Sequence, residues 1–158
     1  MKKLVFALSV LLLLEAVSCK KNAQGPSTGG SWTFYTTTYN AIRCSQQDTN
    51  GFFYAIAESP VQVNTQTASS LIFMFKGNSA PLAGTYTVVP ALFPNDNEVS
   101  ITGIFFPYGF QYQGTGIDAQ SVTVSASNNL ITLKSSGINM YNTLSPFDTS
   151  SVTFNVTF

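Results

Sequence analysis

Residues 121–134 read SVTVSASNNLITLK, and this stretch decides the fold class. Asn128-Asn129 forms a two-residue loop between two runs in which apolar and polar residues alternate. Asn tolerates the left-handed backbone region that a type I′ hairpin turn needs at both central positions. That turn pairs Ser127 with Leu130, Ala126 with Ile131, Ser125 with Thr132, Val124 with Leu133 and Thr123 with Lys134. Ala126, Ile131, Val124 and Leu133 then share one face; Ser125, Thr132, Thr123 and Lys134 share the other. A one-residue slip would mix the two sets, so burial of one face fixes the register.

The same period of two recurs outward from this hairpin. At the end of the chain Val152, Phe154, Val156 and Phe158 alternate with Thr153, Asn155 and Thr157, which predicts a strand paired inside a sheet. Further strands are predicted at 32–39, 52–57, 71–75, 85–89, 99–105, 110–113 and 138–142, where Val, Ile, Thr, Phe and Tyr dominate. Turn formers separate them at 48–51, 77–78, 94–97, 114–116 and 145–146. No 3.6-residue periodicity is sustained after residue 31. The expected fold is all-β: an antiparallel β-sandwich of about eight to ten short strands, immunoglobulin-like or jelly-roll-like. Outer-membrane barrels also end on an aromatic after alternating apolar positions. Their strands run about 9–11 residues, longer than most runs here, so the sandwich is preferred.

The chain starts differently. MKKLVFALSVLLLLEAVSC places Lys2 and Lys3 before an apolar run at 4–14 broken only by Ser9. As a helix that run would be about 16 Å long, against about 30 Å of hydrocarbon in a bilayer. It reads as a secretory leader rather than a spanning segment. Ala16-Val17-Ser18-Cys19 puts small side chains before a cysteine and resembles the lipobox of bacterial lipoproteins, although Ala16 stands where Leu is usual. The resemblance implies removal of residues 1–18 and lipid on Cys19. Residues 19–31 then form a Gly- and Ser-bearing tether, and 32–158 the domain. More than one acyl chain makes such anchoring stable.

Ser18-Cys19-Lys20-Lys21, Trp32 after the tether, and Leu71-Ile-Phe-Met-Phe-Lys76 followed by Pro81-Leu-Ala-Gly-Thr-Tyr-Thr-Val88 are similar to features of small lipoproteins of Bacteroidetes-type bacteria. The resemblance implies a cell-envelope location and no activity. An acidic run after the cysteine, associated in that group with export to the cell surface, is lacking. A periplasm-facing location is therefore slightly favoured.

Composition narrows the function further. From Cys19 onward there are five basic residues (Lys20, Lys21, Arg43, Lys76, Lys134) and six acidic ones (Asp48, Glu58, Asp96, Glu98, Asp118, Asp148). This near-neutral balance excludes a nucleic-acid footprint. The sequence has no His, which removes Ser-His-Asp and Cys-His nucleophile pairs and His-based metal sites. Two-carboxylate hydrolysis stays open through Glu58, Asp96, Glu98 and Asp118, but no pattern sets any two across a cleft. Asn95-Asp96-Asn97-Glu98 is oxygen-rich yet lacks the spacing of a calcium loop, and reads as a solvated turn. No cofactor is expected. With Cys19 lipidated, Cys44 has no intrachain partner and reads as a small buried hydrophobe.

Aromatic residues concentrate in 103–114, GIFFPYGFQYQG. Tyr108 and Tyr112 beside Gln111 and Gln113 would make a ligand platform if exposed, because a tyrosine joins a flat apolar ring to a polar tip. The opposing reading puts Phe110 and Tyr112 in the core. Expected functions are therefore a tethered, non-enzymatic module binding glycan or peptide through Tyr108, Gln111 and Tyr112, or a structural lipoprotein docking an envelope protein through a sheet edge or this segment.

Overall fold

A computed structural model describes residues 28–60, 68–90, 92–106 and 110–158. The leader, Cys19 and Tyr108 lie outside the described residues. The fold is all-β and sandwich-like. Eleven strands occur among the described residues: β1 (Gly30–Phe34), β2 (Thr37–Asn40), β3 (Arg43–Thr49), β4 (Phe52–Glu58), β5 (Ser70–Lys76), β6 (Gly84–Val88), β7 (Glu98–Phe105), β8 (Phe110–Gly114), β9 (Ser121–Ser127), β10 (Leu130–Asn142) and β11 (Ser145–Thr157).

The β9–β10 hairpin forms in the predicted register, from Leu130 opposite Ser127 to Lys134 opposite Thr123. Asn128 and Asn129 take φ of 52° and 63°, as a type I′ turn requires. Val124, Ile131 and Leu133 are buried, while Ala126 at the hairpin's end is exposed. The last strand also keeps its predicted faces, with Val152, Phe154 and Val156 buried.

Several features depart from the expected pattern, among them an unexpected strand at Arg43–Thr49 and the expected turn at 145–146, which instead opens β11. The stretch 32–39 is not one strand but two, since Tyr35 turns the chain at φ 53° and β2 folds back on β1. The first strand starts at Gly30, two residues inside the expected tether. Residues 130–142 form one 13-residue strand with a bulge between Ser135 and Ile138 instead of two short strands. And β6 pairs with β7 in parallel, in an otherwise antiparallel sheet.

Strand order is β2-β1-β11-β10-β9-β6-β7-β5-β4-β3, with β8 bridging β10 and β7. Rolling this sheet brings β1 and β11 over β5 and β7. Phe73 of β5 meets Phe154 of β11 at 4.9 Å between ring centroids. Phe34 of β1 stacks on Phe105 of β7 at 4.0 Å. Trp32 lies on Tyr39 at 5.5 Å, and the Tyr39 hydroxyl donates to the Phe106 carbonyl at 2.8 Å. The core is thus an aromatic seam between two curved layers.

Each layer has an outward face, and the two differ in chemistry. Across β2, β1, β11, β10, β9 and β6 one outward row reads Asn40, Ser31, Asn155, Lys134, Thr123, Thr85. Across β4, β5 and β7 the outward rows carry Ile56 opposite Ile72, Tyr54 opposite Met74, and Ile104 opposite Ser70.

Candidate functional site

Of the predicted aromatic platform, Tyr108 lies outside the described residues and Tyr112 does not present its ring to solvent. Tyr112 is 1% exposed. Its ring packs against Phe34 at 4.6 Å and 63°, and against Phe105 at 5.9 Å. Burying a ring of about 150–250 Å² in an aromatic seam is strongly favoured, and it leaves no ring face for a ligand to stack on. Tyr112 is therefore corrected from ligand binder to core residue. Gln111 points the other way and is exposed, as alternation along β8 requires. Its backbone carbonyl accepts the N–H of Thr143 at 2.9 Å and the Thr143 hydroxyl at 3.1 Å. Gln113 is buried on the outward side, its Nε2 donating to the Pro90 carbonyl at 2.7 Å and its Oε1 accepting from Tyr141 at 3.0 Å.

Where the Tyr112 ring ends, its hydroxyl reaches a polar cluster that sequence reasoning missed. It donates to Asp148 Oδ2 at 2.8 Å; Tyr35 donates to Asp148 Oδ1 at 2.8 Å. Asn142 Nδ2 adds a third bond, to Oδ2 at 3.1 Å, and Asn142 Oδ1 accepts the Leu144 N–H at 2.9 Å. These donors, Asn142 first and then the two phenols, hold the Asp148 carboxyl below its ordinary range. Burial first, and the carboxylate after it, push the Tyr112 phenol up. For Tyr35 the bond to Asp148 is the main cause of a raised pKa. A carboxylate with both oxygens engaged and a depressed pKa is a poor proton acceptor. The cluster is a brace for the β10–β11 turn, beyond which Leu144 and Phe147 stand exposed.

The outward face of β4, β5 and β7 is a second feature of note among the described residues. These strands read FFYAIAE and SLIFMFK, near-continuous apolar runs. Phe53, Ala55, Ala57, Leu71, Phe73 and Phe75 enter the core. Tyr54, Ile56, Ile72 and Met74 point away from it and stay half-buried. Phe93, 70% exposed, extends the patch through a ring contact with Phe52 at 5.5 Å, and Leu92 beside it is 71% exposed. Strands with apolar residues on both sides are the mark of sheets covered on both faces. The flanking cations are paired, Arg43 with Glu58 at 3.5 Å and Lys76 with Asp96 at 3.3 Å, so the border carries little net charge.

The remaining candidates are structural. Cys44 sits half-buried on β3 against the core, and burial pushes its thiol up to about 11, leaving it protonated and unreactive at neutral pH. Glu98 Oε2 accepts the Asn95 N–H at 2.7 Å, which makes 95–98 a self-bonded turn, as predicted. Asp118 lies in a short 3-10 turn at Ile117–Ala119. Among the described residues no three His, Cys, Asp or Glu side chains are grouped to hold a metal ion. Compared with protein-family models, curated proteins and solved structures, the chain matches none.

Proposed function

We propose that this protein is a membrane-tethered, non-enzymatic module of the cell envelope that docks a partner protein on the outward face of β4, β5 and β7. One observation carries the reading: Tyr54, Ile56, Ile72 and Met74 form an apolar sheet face that the described residues leave half-exposed, continued by Phe93 and Leu92. Contiguous apolar surface of this kind is the usual sign of an interaction site. The opposite face, lined by Thr, Ser and Asn, supplies the solvated side.

The occupant is a neutral, apolar protein surface. A surface made for the bilayer would ring its apolar patch with free Lys and Arg, whereas here Arg43 and Lys76 are both paired with carboxylates. Tethering rests on Cys19 and the leader before it. What supports a periplasm-facing location over the cell surface is that Lys20-Lys21, not an acidic run, follows that cysteine.

Photo-crosslinking in cells tests the docking. A photoreactive residue placed at Phe93 should give a discrete protein adduct, and the same residue at Thr123 on the polar face should give none. Adducts from neither position, from Thr123 alone, or only to lipid would overturn the reading. A glycan or peptide platform is not retained for Tyr112, whose ring is buried.

A further inference from the structure

The described surface holds an open cleft of about 200 Å³ between the end of β5, the start of β6 and the 95–98 turn. Its lining includes Tyr86, Leu82, Asn95, Asp96, Asn97 and Lys76. We infer that this cleft is a binding subsite for a single uncharged sugar ring.

A pyranose has an apolar face of C–H groups and a rim of hydroxyls. Its recognition needs an aromatic or apolar wall and planar polar side chains that both give and accept hydrogen bonds. Tyr86 supplies the wall. Its ring meets Phe75 edge-on at 5.1 Å and 84°, and its hydroxyl donates to the Leu82 carbonyl at 3.0 Å. Asn95, Asp96 and Asn97 supply amide and carboxylate groups.

The main chain of the 95–98 turn is held before any ligand arrives. Glu98 Oε2 accepts the Asn95 N–H at 2.7 Å, Asn97 takes φ 61°, and the Asn97 carbonyl accepts the Thr87 N–H at 3.0 Å. Such preorganisation lowers the entropy cost of binding a small ligand. Size and charge choose the ligand class. Pockets for drug-sized molecules run about 300–1,000 Å³, so this cleft takes one ring. Lys76 against Asp96 and Glu98 leaves the lining negative by one charge, which disfavours uronic acids, sialic acids and phosphates. A calcium ion would need six to eight oxygens, but Asp96 is engaged with Lys76 and Glu98 with a backbone N–H. The site shares none of the residues Tyr54, Ile56, Ile72 or Phe93, so it stands or falls apart from the proposed docking face.

The test is an amide NMR titration of the protein with D-glucose, D-galactose, D-mannose and N-acetyl-D-glucosamine, each alone, and with calcium chloride alone. At least one sugar should give saturable shifts in the millimolar range, confined to residues 76–98. Tyr86→Ala should abolish them. Asp96→Asn, at an exposed position that the fold does not need, should weaken binding about fivefold, the loss of one good hydrogen bond. The inference is overturned if no sugar gives saturable shifts, if the shifts lie outside 76–98, if they survive both substitutions, or if calcium chloride alone reproduces them.

Discussion

Replacing Phe34 by Ala should lower the stability of the fold by about 3–5 kcal/mol. Phe34 is fully buried and joins the two layers where they cross. It stacks on Phe105 at 4.0 Å, meets Tyr112 at 4.6 Å, and meets the ring of Tyr35 at 4.7 Å. Truncation removes the transfer energy of the ring and leaves a cavity that rigid neighbouring strands cannot close. Domains of this size are held by only about 5–15 kcal/mol, so the melting temperature should fall on the order of 10–20 °C. Urea denaturation checks the size: the midpoint should drop with the slope unchanged. Phe34→Leu, which refills much of the volume, should recover part of the loss. A cost below about 1 kcal/mol for Phe34→Ala, the level of an ordinary surface change, would mean that the layers do not pack on this seam.

The second large effect is on docking. Ile56→Thr combined with Ile72→Thr should reduce partner capture at least about tenfold, a factor that corresponds to about 1.4 kcal/mol. The two side chains lie directly opposite each other on β4 and β5. Burying an apolar side chain of this size under a partner contributes about 1.5–3 kcal/mol each, so the threshold is conservative. Threonine keeps the β-branched shape that strands favour, and both residues point away from the core. The melting temperature should therefore change little, and the free protein should bind less hydrophobic dye. The same pair of substitutions at Thr123 and Thr132, to Ser, should leave capture untouched. Capture that survives Ile56→Thr/Ile72→Thr in a folded protein would place the interface elsewhere, with Leu144 and Phe147 at the β10–β11 turn the next surface to test.

The parts of this fold that were legible in the sequence are those where a face is buried and a turn is specified. The hairpin at 121–134 has both, and its register was readable residue by residue. The last strand has the first. By contrast β3, Arg43–Thr49, is an edge strand of polar residues whose burial shows no alternation, so no period of two marks it. Ser145-Pro146 carries turn formers that predict a turn but opens β11, and the Ser-Ser-Gly at 135–137 suggested a break where β10 only bulges. The parallel pairing of β6 with β7 joins residues with no local signal between them.

The candidate site divides the same way. Alternation correctly set Tyr112 on the side of β8 opposite Gln111, but a five-residue strand does not say which side is inside. Asp148 carried no sequence signal at all. Its partners Tyr35, Tyr112 and Asn142 come from three other places in the chain, brought together by the rolled sheet. The apolar outward face of β4 and β5 did leave a signal, in the unbroken apolar runs FFYAIA and LIFMF. Such runs show that a strand is covered on both sides, not whether the cover comes from its own chain.

The proposed docking at the envelope requires an anchor there, which the lipobox resemblance assigns to Cys19. Metabolic labelling with palmitate, followed by separation of membrane and soluble fractions, tests this directly. Wild-type protein should carry the label and stay with the membranes, while Cys19→Ser should be unlabelled. An unlabelled wild type, or label retained after Cys19→Ser, would contradict a lipid anchor at that thiol.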